Sequence, residues 1–281
     1  MRILVTGSQG GIGRHLVARL IERGHCVVSF DVVPGGDITG DLRDYPTVLA
    51  AAEGCDAVAH LGAIPGPVAG KEDAVLASNA QGTWNVLLAC VAHGIRRAVC
   101  YSSVNAFGCF GVERTAPYLP GDDQTPPDTR NPYQLAKHLV EEIAEHFARV
   151  HAMTVLCPRP VYCPQPSAYA HFNQWDPTTP PSRSALSEFF SYVDVRDVCE
   201  ATVAALEKDI TGYASFLLAA DDTTVGVPTA ELVERFYGDV SWIQDKKAWL
   251  ARGTHTGLID CRVAKTLLGW QPRHSWRDAQ G

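Results

Sequence analysis

Tyr133 and Lys137 stand four residues apart in Tyr133-Gln-Leu-Ala-Lys137, and the hydroxyls of Ser102-Ser103 precede them in the chain. A phenol beside an ammonium can work as a base. Free tyrosine titrates near pH 10, so proton abstraction near pH 7 requires a downshift of roughly three units, about 4 kcal/mol. Nearby positive charge supplies such a shift. The reading assigns Tyr133 to take a proton from a substrate hydroxyl, Lys137 to lower the phenol's pKa, and Ser103 to hydrogen-bond the reacting oxygen where charge develops.

The spacing has this meaning only on a helix, where side chains at i and i+4 share a face with Cβ atoms about 5–6 Å apart. After Asn131-Pro132, apolar residues recur at Leu135, Leu139, Val140, Ile143 and Phe147, with Lys137, Glu141, Glu142 and Glu145 between them. That is the helical period, and proline suits the first turn. A Tyr-x-x-x-Lys match taken alone reads better as a surface or half-buried pair, so the surroundings must decide.

They begin at the first residues. Arg2-Ile-Leu-Val-Thr6 reads as a buried parallel strand, followed at once by Thr6-Gly-Ser-Gln-Gly-Gly-Ile-Gly13 and by a stripe of Ile12, Leu16, Leu20 and Ile21 ending at Gly24. Strand, glycine turn and helix in that order form a pyrophosphate cradle, because glycine lets backbone approach and the helix start offers free N–H groups. Gly7, Gln9, Gly10, Gly11, Ile12 and Gly13 are the candidate contacts. Cys26-Val-Val-Ser-Phe30 reads as a second strand ending in Asp31, near the interval of about 20 residues expected of a ribose-binding acid. A carboxylate there accepts from ribose hydroxyls and repels a 2′-phosphate, which favours NAD over NADP. Cradle, Tyr133, Lys137 and Ser103 together predict hydride transfer.

With these residues in place the chain resembles the extended short-chain dehydrogenase/reductase family of NAD-dependent epimerases and dehydratases, over nearly its whole length. The family's Thr-Gly-x-x-Gly-x-x-Gly loop matches Thr6, Gly7, Gly10 and Gly13. Asp41-Leu42 resembles its acidic-Leu element, His60-Leu-Gly-Ala63 its His-Leu-Ala-Ala loop, and Asn79-Ala-Gln-Gly-Thr83 its Asn-x-x-Gly-Thr helix. Ser102-Ser-Val-Asn-Ala-Phe-Gly108 is similar to Ser-Ser-x-x-x-Tyr-Gly, which puts the catalytic hydroxyl on Ser103. Val161-Tyr-Cys-Pro164, Tyr192-Val-Asp-Val-Arg-Asp-Val198 and Leu267-Leu-Gly-Trp-Gln-Pro272 resemble further family elements. The resemblance implies NAD contacts at Asp41, Leu42, Leu61, Gly62, Ala63, Asn79, Tyr133, Lys137 and Pro158, with Lys137 on the nicotinamide ribose. It also implies a homodimer packed through the helices around Val86 and Leu139.

Three departures fall on the substrate side: Cys157 where many relatives have arginine, Cys163 in place of glycine, and Asp194 in place of histidine. The stretch from Pro164 to Ser187 holds one arginine and one histidine, too little cationic character to clamp a nucleotide diphosphate. A smaller substrate is expected: a free sugar, sugar acid or polyol, as for uronate dehydrogenases, the short members of this kind. Arg159 either reaches a substrate carboxylate or pairs with a local one, and Asn105 either contacts substrate or shapes its turn.

Alternating strand and helix signals predict an α/β protein with a doubly wound parallel sheet. Val58 to Leu61, Ala98 to Tyr101 and Thr154 to Cys157 read as further strands, the segments near Val75 to Val91 and Tyr133 to His151 as crossing helices, and Phe216 to Ala219 as a possible return to the sheet. Residues 1–160 form the expected NAD-binding core with the catalytic residues, and 161–281 a small substrate lobe with segments returning to the core. The proline-rich stretch through Pro181 is expected to loop over the site, and Asp278 to Gly281 to form a polar tail.

The 281 residues are 46% hydrophobic and 20% charged, ordinary for a soluble globular chain. A net charge of −7 gives no basic footprint for nucleic acid. No apolar run reaches the roughly 18 residues of a membrane span, and a strand starting at Arg2 leaves no room for a leader, so a cytoplasmic protein is expected. The nine cysteines, Cys109 among them, are dispersed without Cys-x-x-Cys spacing and read as buried thiols; His60 and His93 lack ligand-spaced partners, and no metal is expected. The candidate functions are a dehydrogenase turning over free NAD, an epimerase or dehydratase retaining NAD, and a non-catalytic dinucleotide sensor. The sensor has no use for Ser103, Tyr133 and Lys137 together, and the short substrate region favours the dehydrogenase.

Overall fold

The short apolar runs pair into one seven-stranded parallel sheet in the computed structural model, which describes residues 1–108, 116–179 and 188–278. The strands are β1 (Arg2–Thr6), β2 (Cys26–Asp31), β3 (Ile38–Thr39), β4 (Ala57–His60), β5 (Arg97–Cys100), β6 (Thr154–Pro160) and β7 (Tyr213–Leu218). Their order is β3-β2-β1-β4-β5-β6-β7. The central strands β1 and β4 are buried almost throughout, as expected where helices cover both faces. The helices are α1 (Gly11–Glu22), α2 (Tyr45–Ala51), α3 (Glu72–Leu76), α4 (Gly82–His93), α5 (Pro132–His151), α6 (Val195–Glu207), α7 (Thr229–Phe236), α8 (Lys246–Leu250) and α9 (Arg262–Leu268). The strand order reverses direction between β1 and β4, and such a switch point opens the crevice in which doubly wound sheets bind ligands.

Several expectations are sharpened. The helix predicted across Val75 to Val91 is α3 and α4 joined by a π-helical turn, Ala77–Gln81, a feature that apolar periodicity does not encode. Ile21 is 58% exposed and drops out of the buried stripe of α1, which consists of Gly13, Leu16 and Leu20. On α5 the face turned inward is Gln134, Ala136, Lys137, Val140, Glu141, Ala144, Phe147 and Ala148. Leu135 is exposed, while Lys137 and Glu141, which stand between the apolar positions in sequence, are interior. The two-residue strand β3 was below the length that pattern reveals.

Beyond β6 the chain returns to the core twice. Helix α6 covers the sheet and α1, and β7 closes the edge. The Leu-Gly-Trp element then anchors to α6: Trp270 Nε1 donates to the Asp197 carbonyl at 2.8 Å, and the Asp197 carboxylate accepts from the backbone N–H groups of Arg273 and His274. No described helix is long and apolar enough to cross a membrane. The expectations for Cys109, for 180–187 of the proline-rich stretch and for 279–281 of the tail lie outside the described residues.

The cysteines have a measurable consequence. Cys55, Cys90, Cys100, Cys157, Cys199 and Cys261 are buried thiols, whereas Cys163 is half-buried and Cys26 is exposed, so the expectation fails for Cys26 at the start of β2. Burial pushes Cys100 and Cys199 up to about 12 and raises the other interior thiols as well. In the unfolded chain these thiols ionise near 8.5. Above that pH the native state holds more protons than the unfolded one, so stability falls as pH rises, by about 1.4 kcal/mol per pH unit per thiol. Five such groups at pH 10 approach the whole stability of a typical domain, about 5–15 kcal/mol. The urea midpoint is therefore expected to drop steeply between pH 8.5 and 10, and an unchanged midpoint would contradict this account.

Candidate active site

The cradle forms because Gly7 and Gly13 allow backbone to meet backbone. Gly7 has φ +70°, and a Cβ on it would lie 2.6 Å from Gly62 N. A Cβ on Gly13 would lie 2.0 Å from the Gly7 carbonyl oxygen. The Gly10 N–H donates to that same carbonyl at 3.1 Å, closing the turn from which α1 springs. Gly10 caps α1 without a side-chain cap, so the first amides of Gly11, Ile12 and Gly13 are unclaimed by any side chain there and suit an anion. Gln9 N–H donates to Asp31 at 2.8 Å and Val33 N–H donates to its other oxygen at 2.9 Å. Asp31 is thereby fixed at the end of β2, with lone pairs left to accept from a ribose diol.

The floor of the crevice is a hydroxyl chain around His60. The Thr83 hydroxyl donates to the Asn79 carbonyl at 2.6 Å, so it accepts from His60 Nε2–H at 3.0 Å. Nδ1 is then the acceptor for the Thr6 hydroxyl at 2.7 Å, and Thr6 Oγ1 in turn accepts from Gly62 N–H at 3.2 Å. This donor accounting assigns a neutral imidazole, in keeping with burial that pulls His60 down to about 3. His60, at the end of β4, thus joins the end of β1 to the first turn of α4, while Thr6 ties in the loop after β4. Asn79 braces the same loop through both its amide atoms, to Ile64 N at 2.8 Å and Ile64 O at 3.1 Å, holding Leu61, Gly62 and Ala63 in position. Leu42 is buried against Gly62 and Gly82, while the Asp41 carboxylate is tied at the surface to Arg43. The side chains of Asp41 and Asn79 are accordingly engaged within the chain, with Arg43 and Ile64.

The start of α5 fixes the phenol. Asn131 Oδ1 accepts from Gln134 N at 3.0 Å, and Gln134 Oε1 accepts from Arg130 N at 2.7 Å, a reciprocal cap on the turn that carries Tyr133. One turn on, Lys137 Nζ donates to the Tyr101 carbonyl at 2.8 Å and lies 5.9 Å from the centroid of the Tyr133 ring. Burial pulls the Lys137 ammonium down to about 8. Ser103 caps the 3-10 turn Val104–Phe107, its Oγ accepting from Asn105 N at 3.2 Å. Pro158 accepts from Ser102 N at 3.0 Å through its carbonyl, extending the sheet beneath the site. The structure thereby places Lys137 between the Tyr133 ring on its own helix and the carbonyl of Tyr101, two residues before Ser103.

The structure supplies partners for two residues that the sequence left open. The Arg159 guanidinium is interior, paired with Glu141 at 2.6 Å and Asp123 at 3.1 Å, so it is not offered to a substrate carboxylate. The Asn105 amide lies 3.5 Å from Ser103 Oγ and bonds the carboxylate of Glu188. Sequence reasoning missed Glu188, whose carboxylate also accepts from Tyr162 N and which burial pushes up to about 7. The next two residues, Phe189 and Phe190, have φ of 55° and 58°, a conformation costly for bulky side chains and held here by core packing. No local pattern signals Glu188. Glu141 could have been found, since it continues the four-residue spacing of Tyr133 and Lys137.

A doubly wound parallel sheet with a glycine turn after its first strand, next to the switch point, is the architecture of dinucleotide-binding folds. Residues 3–216 match the family model described as NAD dependent epimerase/dehydratase family, and the chain belongs to that family, with NAD as its cofactor. Among solved structures it is similar to a short-chain dehydrogenase/reductase superfamily protein from Agrobacterium tumefaciens with bound NAD. That likeness has a TM-score of 0.74 at 25% identity and covers 99% of this chain and 94% of the other. Among curated relatives, a 2-alkyl-3-oxoalkanoate reductase of Stenotrophomonas maltophilia is 39% identical over 178 residues, 58% of this chain and 52% of the relative. A 3 beta-hydroxysteroid dehydrogenase/Delta 5-->4-isomerase of Mycobacterium tuberculosis is 34% identical over 142 residues, 46% of this chain and 37% of the relative. The chain thus matches about half, or less, of these curated relatives' length.

Proposed function

We propose that the protein is an oxidoreductase that moves hydride between a carbinol of a sugar, sugar acid or polyol and bound NAD. The observation that carries this reading is the shared face of α5, where Lys137 lies 5.9 Å from the centroid of the Tyr133 ring and bonds the Tyr101 carbonyl, two residues before Ser103. When bound, NAD accepts or returns the hydride. Tyr133 takes the hydroxyl proton as the carbinol carbon loses hydride, and gives it back in the reverse direction. Lys137 holds positive charge near the phenol, and Ser103 keeps the substrate oxygen in reach. Residues 161–281 contribute most of the substrate lobe, with Asn105 and Glu188 as its polar rim beside Ser103.

A second reading, an epimerase or dehydratase that keeps its NAD, is favoured by the description of the matching family. The deciding experiment follows absorbance at 340 nm with purified protein, NAD and a panel of sugars, sugar acids, polyols and 3-hydroxy acids, the last suggested by the oxoalkanoate reductase. NADH formed in step with one compound supports the dehydrogenase. A silent panel with NAD released on denaturation refutes it in favour of the epimerase, to be tried on nucleotide sugars.

The position of Asp31 sets a cofactor preference. Asp31→Ala is expected to weaken NAD binding about tenfold, roughly 1.4 kcal/mol, and to narrow discrimination against NADP. Titration with both dinucleotides checks this, and an unchanged NAD/NADP ratio would remove Asp31 from the ribose site. A cytoplasmic role in carbohydrate metabolism belongs to the same proposal, as does a homodimer through α4 and α5. Val86, buried within the protomer, cannot centre that interface. Trp84 on α4 and Leu135 and Val150 on α5 are the large apolar side chains exposed on these two helices.

A further inference from the structure

Glu141 follows Lys137 on α5 by the same four residues that separate Lys137 from Tyr133, so the three share a face. Successive turns of this face grip successive residues at the end of β5. Lys137 donates to the Tyr101 carbonyl at 2.8 Å, and Glu141 Oε1 accepts from the Ser102 hydroxyl at 2.5 Å. The next residue is Ser103. Arg159 then clamps Glu141 with two parallel bonds, Nε to Oε1 at 2.7 Å and Nη2 to Oε2 at 2.6 Å, while Nη1 bonds Asp123 Oδ1 at 3.1 Å. Its guanidinium also lies over the Phe107 ring, 4.3 Å from the centroid, and Phe107 closes the 3-10 turn that Ser103 opens.

One side chain therefore touches both the helix that carries Tyr133 and the turn that carries Ser103. The side chains of Arg159 and Glu141 are 8% and 7% exposed. A buried ion pair contributes little net stability compared with a packed apolar pair, so its presence here calls for another explanation.

We infer that Arg159 and Glu141 are positioning residues for the reaction proposed above: the pair fixes the Ser103 turn against the Tyr133 helix and sets a carboxylate one turn from Lys137. The groups facing Lys137 are Tyr133 and Glu141 on α5, His60 on β4, Cys100 on β5 and Cys157 on β6. Both thiols are neutral near pH 7 because burial raises them, which leaves Glu141 as the carboxylate that sustains the ammonium.

The inference rests on the functional reading, and its test separates the two. In the NAD complex, the Lys137 Cε resonance of 13C-lysine-labelled protein, assigned with Lys137→Met, reports the lysine's titration without any substrate. Glu141→Gln is expected to lower that midpoint by about one pH unit. With an active panel compound, Arg159→Lys, which keeps the charge but loses the parallel bonds, is expected to lower kcat about tenfold at unchanged KM and NAD affinity. Ser102→Ala combined with Glu141→Gln should cost no more than the worse single change, because both break one connection. If the single variants fold poorly, Glu141→Leu with Arg159→Met restores an apolar packing and should fold while keeping the kcat defect. An unchanged Lys137 midpoint, or kcat within twofold of the parent in Arg159→Lys, overturns the inference. Retained turnover in Tyr133→Phe overturns the functional reading instead, and the lysine titration still judges Glu141.

Discussion

Tyr133→Phe is expected to lower kcat by about three orders of magnitude while leaving NAD affinity within about twofold, since general acid–base groups typically supply 10²–10⁴-fold. The substitution removes one oxygen and nothing else. The cap at Asn131 and Gln134 that positions residue 133 does not involve the phenol, so the helix start survives the change. Lys137 keeps its bond to the Tyr101 carbonyl and stays in place. The loss should therefore fall on the proton-transfer step: kcat collapses, and NADH titration by fluorescence reports an intact cradle. Turnover within tenfold of the parent would mean that another group moves the proton.

Gly13→Ala acts on the other half of the site. The added methyl would sit 2.0 Å from the Gly7 carbonyl oxygen, an atom that already receives the Gly10 N–H. No side chain can rotate away, because the obstacle is backbone. Either α1 shifts outward from the sheet or the turn opens, and both displace the amides that would face the pyrophosphate. NAD affinity is expected to fall by about 100-fold, roughly 3 kcal/mol, with a lowered melting temperature from overpacking of about 1–3 kcal/mol. Gly24→Ala, where nothing lies within 4 Å, serves as the control for general glycine loss, although its φ of +82° carries some strain. Equal NAD affinity in Gly13→Ala and the parent would show that the loop does not hold the dinucleotide.

The parts of this molecule legible in its sequence are those set by local chemistry. The glycine turn, the strand before it and the helix after it share one stretch of chain, so period and composition suffice. Tyr133 and Lys137 sit on one helix, and helical geometry alone joins them. What sequence did not give depends on distant segments meeting. Arg159 among prolines offered two partners, and only the fold shows that Glu141 and Asp123 claim it. Glu188 reaches Asn105 from far along the chain through a backbone turn at Phe189 and Phe190 that no propensity anticipates. The interior place of Glu141 has the same origin, since its charge is held by groups at the end of β5 and on β6.

Because all seven strands run the same way, the molecule has two poles of different character. The cradle, Ser103 and the crevice gather where strands end. The opposite pole, where strands begin, is occupied by Arg2, Cys26, Asp56 and Arg97, with Arg2 N–H donating to Asp56 at 2.6 Å and Arg97 tying β5 to the carbonyls of Ala205 and Ile210. Cys26 is exposed there. The protein thus carries a native thiol handle on its far side, and coupling through it to an electrode, bead or dye would orient the mouth of the crevice toward solvent.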